Sequence, residues 1–314
     1  MSSKYYYLQR EKQQALLGSE KFNGDQGNGK FGKRYYPFVL SNGGNNLFPP
    51  ILDAVKRYFA ENKISWWNGD SPSGHVLSSQ IACLNHLFAI RHDKEAVLKI
   101  LNGVCNEFVD VLPIKCDKDE QFIAFEVVSQ GDYLNEVNTT RGANCTSVDA
   151  FILAKHKSNK TWLIPIEWKY TEHYYSDDKS SGSDGATRIR RYNNLIKNSA
   201  QLKWFDDYKV YYQEPFYQLM RQTLWAEQMI AHQSTEILHA NDFLHIHVIP
   251  KDNEALLRRN PRFPYTVSGE SMESTWRSCL KDPSKYIIVD QQDLLTPIVN
   301  TYPALTAYLN TRYW

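Results

Sequence analysis

The sequence predicts an α/β domain with α+β character, in which a central mixed β-sheet is flanked by helices and extended by N-terminal helical and C-terminal segments. Three observations carry that expectation. Apolar residues recur at helical spacing over roughly residues 50–112, and the period then switches to three short runs rich in aromatic and β-branched residues. A long helical run and one more strand-like run follow.

The first forty or so residues are polar and rich in Tyr, Gly and Asn, carry no sustained period, and read as an irregular arm or loops. PPILDAVKRYFAENK places Ile51, Ala54, Val55, Tyr58 and Phe59 on one helical face after a Pro-Pro start, and this helix should end near Asn62. SSQIACLNHLFAIR is a second helix capped by Ser78 or Ser79, with Ile81, Leu84, Leu87 and Phe88 facing inward. A third helix is expected over residues 94–112. QFIAFEVV, TSVDAFILAK and TWLIPIEWKYT then read as a meander of three strands. After a Ser/Gly/Asp loop, PFYQLMRQTLWAEQMIAHQ is a helix with Phe216, Leu219, Met220, Leu224 and Met229 near one face, and FLHIHVIP is a further strand. The tail from residue 251 is less legible. The expected organisation is an arm and helix (1–70), a core (71–250) and a C-terminal extension packed on that core (251–314).

Composition narrows the function classes. A chain of 314 residues with 42% hydrophobic content can bury a full core. No apolar run approaches the roughly 18 residues of a membrane span, and MSSKYYYLQREKQQ lacks the apolar block of a signal peptide, so a cytoplasmic protein without membrane association is expected. Five scattered cysteines without a CxxC pair point to neither a disulfide framework nor a zinc knuckle. With 36 basic and 35 acidic residues, overall charge cannot drive nucleic-acid binding, which would have to come from local patches. Neither a Gly-rich phosphate loop nor a GxSxG elbow is present, so no nucleotide cofactor and no serine-hydrolase chemistry is expected.

The chemistry concentrates on the second and third strand runs. An antiparallel pairing turning near Ser158 sets residues whose numbers add to about 316 opposite one another, so Asp149 faces Glu167. Alternation puts Glu167 and Lys169 on one side and Ile164, Ile166 and Trp168 on the other. Two carboxylates and an ammonium thus converge among apolar neighbours, where uncompensated charge is costly. A divalent cation held by Asp149 and Glu167 would compensate it, and Mg²⁺ suits such oxygen ligands, with Mn²⁺ as a substitute. Lys169 would orient or help deprotonate an attacking water. These are the parts needed for phosphodiester hydrolysis. A plain buried ion pair is the competing account.

SVDAFILAK followed by LIPIEWKYTE resembles the D…(D/E)xK signature of the PD-(D/E)XK nuclease superfamily, with Asp149, Glu167 and Lys169 on the matching positions and Trp168 as the variable middle residue, counted with the metal site. The succession SSQIACLNHLF, FEVVSQGDYLNE, RGANCTSVDA, IEWKYTE and YQLMRQTLWAEQM resembles, over residues 46–250, a bacterial family of restriction-type endonucleases within it. The resemblance implies a restriction-endonuclease-like core, Mg²⁺-dependent cleavage of double-stranded DNA and a part in host defence. Val148 stands where the superfamily name has proline.

Such proteins often carry one further acidic residue. Glu126 on the first strand run is the preferred candidate, Glu136 its rival, and Gln80 a candidate polar helper; each is also readable as an ordinary surface residue. Pro165 predicts an edge position or a bulge. For DNA contact the best patch is ATRIRRYNNLIKNSAQLK, with Arg188, Arg190, Arg191, Lys197 and Lys203 interleaved with Tyr192, and Arg221 and Gln222 on the long helix could reach a phosphate or the site's carboxylates. His245 and His247 share a strand face but have no third ligand in view. A palindromic target would favour a two-fold homodimer. The competing functions are a repair or recombination nuclease on the same core and a non-catalytic DNA-binding protein with a structural acidic site.

Overall fold

The structure, a computed structural model, describes residues 3–67, 69–115, 120–137, 141, 145–174, 177–258 and 271–314. Its helices are α1 Lys4–Gln14, α2 Leu52–Glu61, α3 Ser79–Leu87, α4 Lys94–Val104, α5 Gly185–Asn198, α6 Phe216–Ala231, α7 Glu254–Leu257, α8 Met272–Cys279, α9 Gln291–Leu295 and α10 Pro303–Arg312. Its strands are β1 Gly29–Phe31, β2 Arg34–Tyr36, β3 Phe108–Leu112, β4 Ala124–Val127, β5 Val148–His156, β6 Thr161–Trp168, β7 Asp242–Phe243, β8 His245–Val248 and β9 Tyr286–Val289.

β1 and β2 form a separate hairpin. The other strands form one mixed seven-stranded sheet in the order β3–β5–β6–β8–β9, with β4 also beside β5 and β7 also beside β6. Strands β3 to β6 pair antiparallel, whereas β6, β8 and β9 pair parallel. The strand period sorts side chains into two cores. Ala150, Ile152, Ile164, Ile166 and Trp168 pack on one face with residues of α2, α3, α4, α9 and α10. Phe151, Leu153 and Leu163 pack on the other with α5, α6 and α8. Helices on both faces of a mixed sheet are the α/β arrangement expected of a restriction-endonuclease-like core.

Several elements match the sequence-based expectation and several correct it. Ser78 caps α3, accepting from the Ile81 amide at 3.4 Å. The third helix stops at Val104 rather than running to Leu112. Asn102 brackets Phe108 by bonding both its amide and its carbonyl, and FVDVL, β-branched at alternate positions, leaves as strand β3. The N-terminal arm is also more ordered than its polarity implied. α1 has a Ser3 N-cap, and tertiary contacts hold it: Tyr5 is buried and Gln13 donates to the Tyr170 hydroxyl. The hairpin β1–β2 lies in the same region read as loops.

Pro165 is not at an edge, because β6 pairs on both sides. Its missing donor falls where the parallel partnership is interrupted between β7 and β8. From the tail, β9 enters the central sheet beside β8. Among the described residues Cys83, Cys105 and Cys279 are free thiols, and Cys116 lies outside those residues. No helix among the described residues is long and apolar enough to cross a membrane.

Candidate active site

At the carboxyl end of β6, where β5 begins, lies a cleft of about 560 Å³. That volume lies within the range of small-molecule and substrate sites. Asp149, Glu167, Lys169, Glu126 and Gln80 all line it. The pairing of β5 with β6 runs from Lys155↔Thr161 to Ala150↔Ile166, numbers that add to 316 throughout, so the next step of the register sets Asp149 opposite Glu167. Asp149 Oδ2 accepts from the Trp168 amide at 2.7 Å. Lys169 Nζ lies 2.6 Å from Glu167 Oε1. Glu167 and Lys169 retain only 3% and 4% of their surface, so each needs a partner inside the protein.

Helix α6 supplies those partners. Gln222 donates to the second oxygen of Glu167, and Gln218 Oε1 accepts from Lys169 Nζ at 2.5 Å. One helical turn separates the two glutamines, so they reach the same strand end side by side. Glu126 arrives from β4. It has φ 51°, a left-handed backbone that costs a non-glycine residue energy. This kink falls between the Phe125↔Ala150 and Val127↔Val148 pairs, beside Asp149. Gln80 Nε2 donates to Glu126 Oε1 at 2.8 Å and Ser147 Oγ to its other oxygen at 3.0 Å. Gln80 in turn accepts from the Trp67 amide at 3.2 Å.

Electrostatically the cluster is short of positive charge. Burial, then the nearby Glu167 and Glu126 carboxylates, push Asp149 well above the usual carboxylate range. Glu126 is raised too, chiefly by burial, with Gln80 and Ser147 opposing the shift. Burial works against a charged Lys169, but Glu167 and then Tyr174, Glu172 and Asp149 outweigh it and hold its proton firmly. Without added positive charge, the site therefore keeps protons that solvated carboxylates would shed.

The residues present suit an oxygen-seeking divalent ion. Two carboxylates flank the cleft floor and a third sits beside them, and the upward shifts of Asp149 and Glu126 mark a place where added positive charge is favourable. Among the described residues no three His, Cys, Asp or Glu groups close into a ready metal cage. Mg²⁺, which keeps several waters or phosphate oxygens, does not require one. The Trp168 indole packs in the opposite core, 4.8 Å from His86, and an indole offers only a donor. Trp168 could therefore take part only through its main-chain carbonyl.

Other sequence candidates fall elsewhere. Glu136 does not line this cleft; it accepts from the Thr146 amide and hydroxyl and the Tyr192 hydroxyl, each at 2.6 Å. Arg221 lies 3.3 Å from Glu136 and lines both the cleft and a neighbouring basin of about 610 Å³. Arg188 and Arg191 line that basin with Lys179, whereas Arg190 is exposed and does not. His245 and His247 are buried beside Glu167, with burial holding both imidazoles below their usual range. Gln218 is not among the residues the sequence singles out. Its signal is a second glutamine four residues before Gln222 on a largely apolar helix.

The family model described as "Restriction Endonuclease associating with ARP" matches residues 16–314 of the chain. No curated protein and no solved structure matches it.

Proposed function

The chain belongs to the family of restriction endonucleases associating with ARP, and from that premise we propose that it is a metal-dependent endonuclease of double-stranded DNA with PD-(D/E)XK chemistry. The observation that carries this reading is the convergence of Asp149, Glu126, Glu167 and Lys169 at one open end of the sheet. Asp149, Glu167 and the Trp168 carbonyl would hold Mg²⁺, for which Mn²⁺ could substitute. When bound, the ion supplies a charge that polarises a phosphoryl oxygen and stabilises negative charge developing in the transition state.

The protein's own residues do the rest. Lys169, its proton retained by Glu167, acts as a fixed cation that orients water and the phosphate rather than as a base in the resting site. Gln218 and Gln222 fix the Lys169 and Glu167 side chains, and a pre-set geometry lowers the entropic part of the barrier. Glu126 orients the reacting groups from the β4 side through its bond to Gln80. The basin beyond Arg221, with Lys179, Arg188 and Arg191, takes a neighbouring stretch of the phosphate backbone. Arg190, exposed on the same helix, would contact phosphate only outside that basin. The family description supports a restriction role; a homodimeric, cytoplasmic enzyme divided into an arm and helix (1–70), a core (71–250) and a C-terminal extension (251–314) completes the proposal.

The test is incubation of the protein and of Lys169→Ala with unmethylated plasmid and phage DNA in Mg²⁺ or EDTA. Discrete fragments requiring Mg²⁺, with the variant slowed about 10³-fold, are expected. Equal cleavage by the variant would overturn the assignment of Lys169. No cleavage of any DNA, with no divalent-ion binding, would favour a non-catalytic DNA-binding protein.

A further inference from the structure

We propose that the β1–β2 hairpin is a duplex-contacting arm of this protein, in addition to the α5 patch. The proposal rests on the nuclease reading above. Lys30, Lys33, Arg34 and Tyr35 are exposed on the hairpin, Tyr35 at 73%. None of the three cations has an ion-pair partner among the described residues. In a chain of net charge +1, an uncompensated cluster of this kind is a local feature, and its complement is a polyanion.

The hairpin is anchored at its base and through Phe31. Asp25 at its base accepts from the amides of Gly27, Ser41 and Asn42, the Ser41 hydroxyl and the Asn45 amide group. Gly29 lies against the Leu40 carbonyl so closely that a Cβ there would be 2.1 Å from its oxygen, so the strand stays seated on the loop behind it. Phe31 packs 4.9 Å from both Trp67 and His75, and Val39 forms a bridge with His75. Trp67, 51% exposed, and His75 line the same cleft as Asp149 and Glu167.

A two-stranded ribbon is narrow enough for the major groove, which is about 12 Å wide. The ribbon adjoins the cleft at Trp67 and His75, and the arginine-lined basin adjoins it at Arg221 and Cys145. A duplex whose backbone enters the cleft therefore meets cations on two separate elements, and Lys30, Lys33 and Arg34 neutralise phosphates beside the cut strand.

The experiment is fluorescence-anisotropy titration of a duplex oligonucleotide in EDTA across a KCl series. It compares the intact chain, K30Q/K33Q/R34Q, and a charge-matched control, K99Q/K157Q/K160Q, on α4 and the β5–β6 turn, with thermal melting as the check on folding. Because three phosphates are then left to their counterions, the log–log salt slope of the hairpin variant should be shallower by about 2.7, with the control unchanged. A hairpin variant with the intact chain's slope and affinity overturns the proposal while leaving the nuclease reading in place. An equally shallow slope in the control also overturns it, because the effect would then be one of net charge. No duplex binding by the intact chain overturns the hairpin contact and the DNA substrate together.

Discussion

Two buried polar clusters in this protein are built on opposite terms. Around Arg312, which has 0% exposure, the guanidinium donates to Gln13 Oε1, to the Asn46 carbonyl and side chain, and to the Tyr308 hydroxyl. Phe22 and Tyr313 flank it at 4.6 and 4.9 Å. These partners are neutral, the cluster is closed, and it ties α1, the loop at Asn46 and α10 together. Around Asp149 carboxylates outnumber the ammonium, one side is open, and burial raises rather than relieves the carboxyl groups. A charge enclosed by satisfied donors and acceptors serves the fold. A cluster left short of positive charge at the mouth of a cleft is poised for something from outside.

Breaking the closed cluster should have the larger effect on stability. Arg312→Met takes the donor from the buried Asn46 Oδ1 and Gln13 Oε1, while the Asn46 carbonyl keeps Asn85, and should cost about 3 kcal/mol or more in urea unfolding. Unchanged stability would mean that the terminal segments are not integral to the fold. The open cluster should respond in the other direction. Asp149→Asn puts a neutral group where the buried carboxyl must take up a proton on folding, and keeps an oxygen for the Trp168 amide, so it should raise metal-free stability by about 1 kcal/mol at neutral pH while abolishing divalent-ion binding by calorimetry. A less stable variant would count against the strained acid cluster.

The smallest effect is a slope. Asp149 and Glu126 hold protons in the native state that they would shed unfolded, so the folded form binds more protons above the ordinary carboxylate range. Metal-free stability should therefore fall as pH rises through that window, and Mg²⁺ should flatten the fall. Asp25 has the opposite sign. Despite burial, its amide and hydroxyl donors lower it to about 2, so its contribution is complete above the unfolded value of 3.8 and is lost as pH falls toward 2. Melting curves across pH with and without Mg²⁺ would separate the two.

The parts of the site that could be read from sequence were those governed by period and register. The short turn after His156 and the alternation of LIPIEW set Asp149 against Glu167, because a one-residue slip would turn the apolar side chains to the wrong face. Glu126 was legible as a neighbour, but not its left-handed backbone, which no propensity signals. Gln218 and the true end of α4 depended on packing between distant segments. So did α1, whose polar sequence becomes a docked helix only through Tyr5 and Gln13. Exposed and basin-lining arginines on α5 were equally invisible, since sequence gives the helix but not what its neighbours cover.

The contacts from the Phe31 ring to the Trp67 ring, from the Trp67 main-chain amide to Gln80 and from Gln80 to Glu126 join the hairpin to the acid cluster. Such a chain makes occupancy at its two ends a matter of thermodynamic reciprocity. Whatever factor a bound duplex contributes to divalent-ion affinity, the ion must contribute to duplex affinity, and replacing Gln80 would weaken that mutual factor equally in both directions.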